Sequence, residues 1–332
     1  MKPVTLYKPA SVDEATQILA HHGQEAAVYA GGTDLLVRLK NRLNASPKYL
    51  VDIKQIGELD FIRETPDGGI AIGAITTIAR IEQSELVGRK YPLLLQTLKR
   101  ISSPELRNQS TIAGDIMQEV WCQYLRGNYP CWRNGGYICY GAIGDNSYYH
   151  SVMGGRLCFA VYHGDAAIGL EALDAGVKVA GPSGRREMSL EALIPGDVMV
   201  DGRVQSHVLH SDEILTEIVI PPPRAGWTGS FQKIRPRGVW DFAMASVAVN
   251  LQVADGAIAD SRVIFGGIAV SPHREHAVEA FLKGKKLDGE LPQQAATRAL
   301  ANAAPLKYNE HKVETARGAL ASGLSALAGG TV

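Results

Sequence analysis

All four cysteines of this chain fall within one segment, residues 122–158. Four thiols gathered in one segment indicate a metal or cluster site or two disulfides. The third alternative is that they lie close together by chance alone. The segment is rich in Gly, Tyr, Trp and Asn and shows no sustained helical or alternating period. Such a segment buries little apolar surface by itself, so we expect a coordinative or covalent link to order it. The residues concerned are Cys122, Cys131, Cys139 and Cys158.

The spacing of these cysteines favours an iron–sulfur cluster over zinc. Tetrathiolate zinc sites normally contain C-x2-C pairs, and the chain has none. An iron–sulfur cluster needs four thiolates that converge from loops, and it tolerates irregular spacing better. Zinc, disulfides and unliganded buried thiols remain alternatives at this point.

Length, charge and hydropathy restrict the classes of function. With 332 residues the chain is long enough for two or three domains, each with its own core. Lys plus Arg and Asp plus Glu both number 34, which gives little support to nucleic-acid binding. The N-terminus has no apolar signal segment, and no stretch approaches a membrane span. We therefore expect a cytoplasmic protein, whose reducing surroundings argue against structural disulfides.

Two glycine turns have the composition of a phosphate-binding site. The first follows an apolar run at 26–30, reads Gly-Gly-Thr-Asp at 31–34, and precedes helical character at 35–43. Glycine lets the backbone approach a ligand closely, and amide groups at a helix start favour a phosphate. The second turn, residues 109–115, adds two hydroxyl groups just before the cysteines. Two such turns in one domain would hold both ends of a pyrophosphate, although neither matches the GxGxxG or Walker A pattern.

Periodicity predicts the elements that position these turns. Ser11 and Glu14 form a capping box, which predicts a helix from there to about Gly23. Additional strands are predicted at 49–53, 70–74 and 177–180, and a helix at 91–101.

A run of three prolines at 221–223 marks a domain boundary, because proline does not continue a helix or a central strand. Strands and then helices are predicted after it, an order typical of a small α+β domain. The strands are expected at 231–234, 246–253 and 262–268, and the helices at about 273–282, 292–303 and 312–327.

Four segments together resemble the flavin-binding medium subunit of molybdenum hydroxylases. This is the family of xanthine dehydrogenase, carbon monoxide dehydrogenase, bacterial aldehyde oxidoreductase and 4-hydroxybenzoyl-CoA reductase. The segments are YAGGTDLL at 29–36, RNQSTIAGD at 107–115, LEALDAGVKV at 170–179 and FGGIAVSPHREHAVEAFLKG at 265–284. The resemblance covers nearly the whole chain and implies an α+β fold. That fold is a two-part FAD-binding domain of the vanillyl-alcohol-oxidase/PCMH type, followed by a small α+β domain with a three-stranded sheet and helices.

The resemblance also implies domain boundaries and an insertion. The two FAD-binding subdomains would span 1–56 and 57–222, and a C-terminal domain of the carbon monoxide dehydrogenase flavoprotein type would span 223–332. Most members pass directly from the second glycine turn to a Pro-x-x-Asp segment, whereas this chain inserts about 121–159 with all four cysteines. A comparable insertion holds a 4Fe-4S cluster in 4-hydroxybenzoyl-CoA reductase and in an aldehyde oxidoreductase with an iron–sulfur flavoprotein subunit. The resemblance therefore implies one 4Fe-4S cluster on these cysteines.

The flavin contacts of the family carry over to matching positions. The first turn would wrap the FAD pyrophosphate with Val28, Tyr29, Ala30, Gly31, Gly32, Thr33, Asp34, Leu35 and Leu36. The second turn would contact the diphosphate and ribityl chain with Ser110, Thr111, Ile112, Ala113, Gly114 and Asp115. Ile101 and Leu215 are expected near the flavin ring. Asp165 would accept hydrogen bonds from FAD hydroxyl groups, and Lys233 would reach the flavin from the C-terminal domain.

The chain departs from the family pattern at two of these places. Asp115 stands where the family usually has Asn, which brings a potential negative charge near the phosphates. The Pro-x-x-Asp segment is replaced by residues 162–165, Tyr-His-Gly-Asp. His150 and His163 are candidates for hydrogen bonds to cluster or flavin, and Asp241 is interpreted as one half of a structural ion pair.

We therefore expect an electron-transfer subunit with FAD and one 4Fe-4S cluster and without catalytic residues of its own. The molybdenum cofactor would lie in a large partner subunit and 2Fe-2S clusters in a small one, with ferredoxin, NAD or another carrier outside the complex. Flavin exchanges both electron pairs and single electrons, which suits this position. A self-contained FAD oxidase of the vanillyl-alcohol type and a zinc-stabilised binding module are the alternatives. The substrate and the direction of electron flow stay undetermined.

Overall fold

Three larger sheets, one hairpin and surrounding helices form the structure, a computed structural model that describes residues 2–43 and 46–329. The strands are β1 Thr5–Tyr7, β2 Ala26–Tyr29, β3 Tyr49–Asp52, β4 Ile62–Glu64, β5 Ile70–Gly73, β6 Gly176–Gly181, β7 Gly184–Ser189, β8 Val198–Val200, β9 Arg203–Gln205, β10 Ile214–Ile220, β11 Trp227–Ile234, β12 Ala245–Ala254, β13 Ala257–Gly266 and β14 His273–Arg274.

Most of the helices are short, and the first and the last are the longest of those described. The helices are α1 Val12–His22, α2 Leu35–Lys40, α3 Ile78–Glu82, α4 Glu85–Lys90, α5 Pro92–Leu98, α6 Pro104–Arg107, α7 Ile112–Ile116, α8 Gln123–Arg126, α9 Tyr140–Ile143, α10 Asp165–Glu171, α11 Leu190–Leu193, α12 His276–Leu282, α13 Leu291–Arg298 and α14 His311–Ala328. No helix of the described residues is long and apolar enough to cross a membrane.

The N-terminal unit is a small parallel sheet with the order β1-β3-β2, covered by α1. One half of the predicted capping box is present: Ser11 Oγ accepts a hydrogen bond from the Glu14 amide at 3.2 Å. The Glu14 carboxylate accepts from the amide of Ala10, at 2.7 Å, instead of from that of the N-cap residue Ser11. Strand β2 lies at one edge of the sheet and runs directly into the first glycine turn. The predicted strand, turn and helix are thus confirmed, although β1 was not predicted.

The second unit is a five-stranded antiparallel sheet with the order β4-β5-β10-β6-β7. Helices α5, α7 and α10 share one hydrophobic core with its strands. Every residue of α10 is buried, because it lies between this core and the C-terminal sheet. The small side chains Ala166, Ala167 and Gly169 make that close approach possible: a Cβ at position 169 would collide with Thr97.

The C-terminal unit is an antiparallel sheet with the order β11-β12-β13-β14, packed against the 18-residue α14. The expected three strands are present, and the short β14 adds a fourth. We predicted a helix from about His273, but His273 and Arg274 pair with Phe265 and Ile264, and the helix begins at His276. Pairing with the free edge of β13 prevails here over the local helical pattern. The overall α+β architecture is confirmed.

The cysteine insertion contains only two four-residue helices, α8 and α9, as its lack of periodicity indicated. It has a small core of its own, which includes three of the four cysteines. The C-terminal domain also holds it: the Val152 amide donates to the Ile268 carbonyl, and the Val152 carbonyl accepts from the Ala304 amide, both at 2.8 Å. Asn309, fully buried, donates through Nδ2 to the carbonyl oxygens of His150 and Ser151 at 3.1 Å.

We predict that Asn309→Ala lowers the free energy of unfolding by about 2 kcal/mol or more, because it leaves buried carbonyl groups unsatisfied. Asn309 Oδ1 also accepts from the Leu306 amide at 2.7 Å, so a third contact is lost. Urea unfolding monitored by fluorescence measures the change. Asn302→Ala, on the exposed surface nearby, is the matched control. Equal unfolding midpoints for the two variants would contradict this account.

Candidate flavin-binding site

The two glycine turns lie against each other, backbone to backbone. Gly31 has no room for a side chain, because a Cβ there would collide with the carbonyl oxygen of Gln109. Gly32 has a φ of +73°, in the left-handed region that favours glycine. Thr33 Oγ1 and Ser110 Oγ are hydrogen-bonded at 3.1 Å across the contact. The sequence predicted each turn separately, and the fold brings both to one place.

Two chambers that share lining residues lie along both turns and form a cleft. The larger has a volume of about 410 Å³ and the smaller about 330 Å³. Four residues line both chambers. They are Thr33 and Asp34 of the first turn, Gly114 of the second turn, and Gln118, which follows the second turn. Two chambers joined at a glycine turn fit a dinucleotide, whose two ring systems are joined by a pyrophosphate. The cleft therefore fits FAD.

The predicted flavin residues are divided between the chambers. The larger is lined by Thr33, Asp34, Ile101, Ser110, Gly114, Asp115, Asp165 and Lys233. The smaller is lined by Val28, Ala30, Gly31, Gly32, Thr33, Asp34, Leu35, Thr111, Ala113, Gly114 and Leu215. Leu215 thus lies in a different chamber from Ile101 and Lys233.

Three predicted residues line neither chamber. The side chain of Ile112 is fully buried in the hydrophobic core of the second unit. The ring of Tyr29 faces Lys54, whose Nζ lies 3.4 Å from the ring centre. Leu36 packs back towards Gly32, where a Cβ would lie 3.2 Å from its Cδ1. These three side chains therefore pack within the protein and support the turns without facing the chambers.

A buried ion pair joins the FAD-binding units to the C-terminal domain inside the larger chamber. Lys233 Nζ, on β11, lies 2.5 Å from Asp165 Oδ2 at the start of α10. The two side chains are only 1% and 8% exposed, so water screens the pair little. Lys233 also donates to the Arg100 carbonyl at 3.2 Å. The carboxylate predicted to contact FAD hydroxyl groups is therefore already paired within the protein.

Asp115 is buried beside this pair. Its Oδ2 accepts a hydrogen bond from the Ala166 amide at 2.9 Å, and Oδ1 accepts one from Gln118 at 3.2 Å. Burial, and then the nearby charge of Asp165, raise the pKa of Asp115 to about 7. Near neutral pH the carboxyl is therefore partly protonated, which lessens the negative charge that the sequence placed near the phosphates.

An aromatic wall on the larger chamber was not predicted as a site feature. It comes from the insertion, from His163 in the segment that follows the insertion, and from the loop after β11. Its members are Trp121, Tyr149, His163, Trp240 and Phe242, of which His163 alone was a predicted candidate. The Phe242 ring lies 5.1 Å from Trp121 and 4.8 Å from His163. Tyr149 donates to Asp241 at 2.7 Å, and Asp241 pairs with Arg237 at 3.0 Å, as the ion-pair interpretation expected. In the sequence, the aromatic residues Trp240 and Phe242, which follow Lys233, were the signal that could have indicated this wall.

The insertion also contacts the first glycine turn. Arg126 Nη2 lies 2.7 Å from Asp34 Oδ1, and the Glu119 amide donates to Asp34 Oδ2 at 3.1 Å. The Arg126 guanidinium lies 4.0 Å from the Trp121 ring centre. The charge of Asp34 beside the proposed pyrophosphate position is therefore balanced by an arginine of the insertion.

The four thiols converge on one small core. Cys122, Cys131 and Cys158 are buried in it, and Cys139 shares a hydrogen bond with Cys158. That bond lowers the pKa of Cys139 to about 7, and burial raises the pKa of Cys122 to about 11. His150 Nε2 lies 3.4 Å from Cys122 Sγ.

Within residues 2–43 and 46–329, no group of three or more His, Cys, Asp or Glu side chains is arranged to hold a metal ion.

We predict that the free energy of unfolding of Asp115→Asn, relative to that of the wild type, increases as the pH rises from about 4 to about 8. The raised pKa means that ionisation of Asp115 is less favourable in the folded protein, so the wild type loses stability across this window and the variant does not. Urea unfolding at several pH values measures the difference. Asp255→Asn, in an exposed turn, controls for charge removal. A pH-independent difference for Asp115→Asn would exclude the raised pKa.

Known proteins that are similar to this chain share its full length. The aldehyde oxidoreductase FAD-binding subunit PaoB of Escherichia coli K12 is 32% identical over 98% of both chains. The carbon monoxide dehydrogenase medium chain of Hydrogenophaga pseudoflava is 28% identical over 90% of this chain and 86% of its own length.

Solved structures show the same fold. Carbon monoxide dehydrogenase from Hydrogenophaga pseudoflava lacking the Mo-pyranopterin moiety superposes with a TM-score of 0.77 and 27% identity, over 98% of this chain and 97% of the other. Quinoline 2-oxidoreductase from Pseudomonas putida 86 gives 0.73 at 21% identity, over 100% and 99% of the chains, which shows the fold alone.

Two family descriptions account for most of the chain. The FAD binding domain in molybdopterin dehydrogenase matches residues 2–223, and the carbon monoxide dehydrogenase flavoprotein C-terminal domain matches 230–325. The first includes both glycine turns and the second includes Lys233. The chain therefore belongs to the FAD-binding medium subunits of the molybdenum hydroxylase and carbon monoxide dehydrogenase family, which are oxidoreductase subunits.

Proposed function

We propose that this chain is the electron-transfer subunit of a heteromeric molybdenum-dependent hydroxylase, dehydrogenase or reductase, and that it holds one 4Fe-4S cluster in addition to FAD. The observation that carries the proposal is the contact between the first glycine turn and the cysteine insertion through Asp34 and Arg126. This contact brings a dinucleotide cleft and four convergent thiols into one continuous structure. The chain acts in the cytoplasm together with partner subunits.

The residues of the cleft would bind FAD as follows. The amide groups of residues 31–34 would hold the pyrophosphate beside the junction of the two turns, where Gly31 permits the close backbone contact. The amides of Ser110 and of residues 112–115 already donate within the protein, so the second turn would contribute its hydroxyl groups. The Asp165–Lys233 pair and the aromatic wall line the larger chamber. Bound FAD supplies the exchange between electron pairs and single electrons. The domain limits 1–56, 57–222 and 223–332 describe the parts that contribute to this cleft.

Cys122, Cys131, Cys139 and Cys158 are the proposed ligands of the cluster. Support comes from the core that three of them share, from the hydrogen bond between Cys139 and Cys158, from the short loops that carry them, and from the hydrogen bonds that His150 and other buried groups offer to sulfur. Thiolates converging from loops are the usual ligands of a 4Fe-4S cluster. The bound cluster supplies one-electron transfer.

Partner subunits would carry the chemistry of the organic substrate. The similar carbon monoxide dehydrogenases are named medium chains, which implies larger and smaller chains beside them. We propose a large molybdopterin-binding partner and a small 2Fe-2S partner, with this FAD between them and an external carrier such as ferredoxin or NAD. The purified complex should contain flavin, molybdenum and iron together. A complex with flavin and zinc but without acid-labile sulfide on this subunit would refute the cluster and leave the flavin assignment standing.

We predict that Gly32→Val abolishes retention of FAD. Valine does not adopt the φ of +73°, and its Cβ would lie 2.6 Å from Tyr29 Cε2, so the turn must change shape. Flavin absorbance per purified chain measures the loss. Gly68→Val is the matched control, because Gly68 also has a positive φ but its Cβ would meet no atom within 4 Å. Full flavin content in Gly32→Val would exclude this turn as the pyrophosphate site.

We predict that changing any one of the four cysteines to Ser lowers iron and acid-labile sulfide towards zero, while much of the FAD remains. A serine hydroxyl is rarely ionised and replaces a thiolate poorly, and the glycine turns lie outside the insertion. Iron, sulfide, zinc and flavin are measured on the same sample. Tyr137→Ser, on an 84% exposed side chain of the insertion, is the control. Undiminished iron in all four variants would remove the cluster from this chain.

A further inference from the structure

A buried arginine of the insertion contacts one of the proposed cluster ligands. The side chain of Arg133 is only 2% exposed, and its Nε donates to Cys158 Sγ at 3.3 Å. Arginine stays protonated in proteins, so this group is a permanent positive charge placed beside sulfur. Burial of a full charge is costly, and a protein retains it where specific partners compensate the cost.

The remaining donors of Arg133 fix the guanidinium in place. Nη1 donates to Glu119 Oε1 and Nη2 to Ser206 Oγ, each at 2.9 Å. Asp197 Oδ1 lies farther away, at 3.8 Å from Nη2. These partners come from three separate segments: the approach to the insertion, the chain after β9, and the loop before β8. The planar fork therefore presents Nε to the sulfur in a single orientation.

Glu119 and Asp197 offset part of the charge of Arg133, but along the guanidinium they lie farther from the sulfur than Nε does. The two carboxylates bind the Nη side of the fork, whereas Nε faces Cys158. Asp197 Oδ2 also accepts from the Cys158 amide at 2.8 Å, so it positions the backbone of the ligand. Because Arg133 and Cys158 are both buried, the interaction between the guanidinium and the sulfur is screened much less than it would be at the surface.

An iron–sulfur cluster becomes more negative when it is reduced. A fixed cation, and a hydrogen bond to a ligating sulfur, therefore stabilise the reduced form more than the oxidised form. We propose that Arg133 is a positioning residue that raises the reduction potential of the cluster through Cys158 and orients that thiolate. The inference rests on the proposed function, because it requires the 4Fe-4S cluster.

The experiment compares Arg133→Gln, Arg133→Lys and Arg156→Gln in the purified complex. Arg156 is exposed and lies in the same loop as Cys158, so Arg156→Gln removes an equal charge under full solvent screening. The reduction potential is measured by electron paramagnetic resonance during a redox titration. The signal of this cluster is the one that disappears in Cys131→Ser. Iron and sulfide contents are determined for each variant.

We expect Arg133→Gln to lower the reduction potential of the cluster by at least about 59 mV, which corresponds to a tenfold change in the equilibrium constant of a one-electron reduction. Arg156→Gln should leave it near the wild-type value, and Arg133→Lys should lower it by less, since lysine keeps the charge but not the fork. A potential of Arg133→Gln equal to that of the wild type overturns the inference. If Arg133→Gln does not retain iron, Arg133→Lys decides: an unchanged potential overturns the inference and a lowered one supports it. Absence of iron and sulfide from the wild type refutes the proposed function instead.

Discussion

The backbone of the first glycine turn rests on the backbone of the second, and the rest of the site depends on this contact. Gly31 approaches the Gln109 carbonyl more closely than any side chain would allow, and the hydroxyl groups of Thr33 and Ser110 complete the junction. The first turn follows the parallel sheet of the N-terminal unit, whereas the second lies between α6 and α7 of the second unit. Their contact therefore sets the position of one unit relative to the other. The two chambers of the cleft lie along the contact between the two turns.

The cysteine insertion links all the units instead of projecting as a separate lobe. It reaches the first glycine turn through Arg126 and Asp34, and the C-terminal domain through Val152 and Ile268. Tyr149 adds a hydrogen bond to Asp241 in the loop that lines the larger chamber. Whatever orders the thiols is thereby coupled to the walls of the flavin cleft. A short, irregular segment can remain ordered in this position because its polar backbone groups find partners in neighbouring units.

Electrostatics in the cleft are arranged by pairing buried groups. Asp165 and Lys233 neutralise each other across the domain boundary, and Arg126 balances Asp34 at the turn. Asp115, without a cationic partner of its own, has a raised pKa and is partly protonated near neutral pH. An anionic cofactor would thus meet backbone amides and balanced pairs with little net negative charge.

The sequence alone determined the local features that depend on neighbouring residues. The N-cap of α1, the strand before Gly31 and the family segments could all be read from it, and the family assignment and the α+β fold are confirmed. It did not determine β14, because that strand depends on pairing with β13 rather than on its own pattern. Nor did it reveal the aromatic wall or the bond between Arg133 and Cys158, since these residues lie far apart in sequence. Such contacts arise only when separate units pack together, and local periodicity contains no information on which distant side chains will meet.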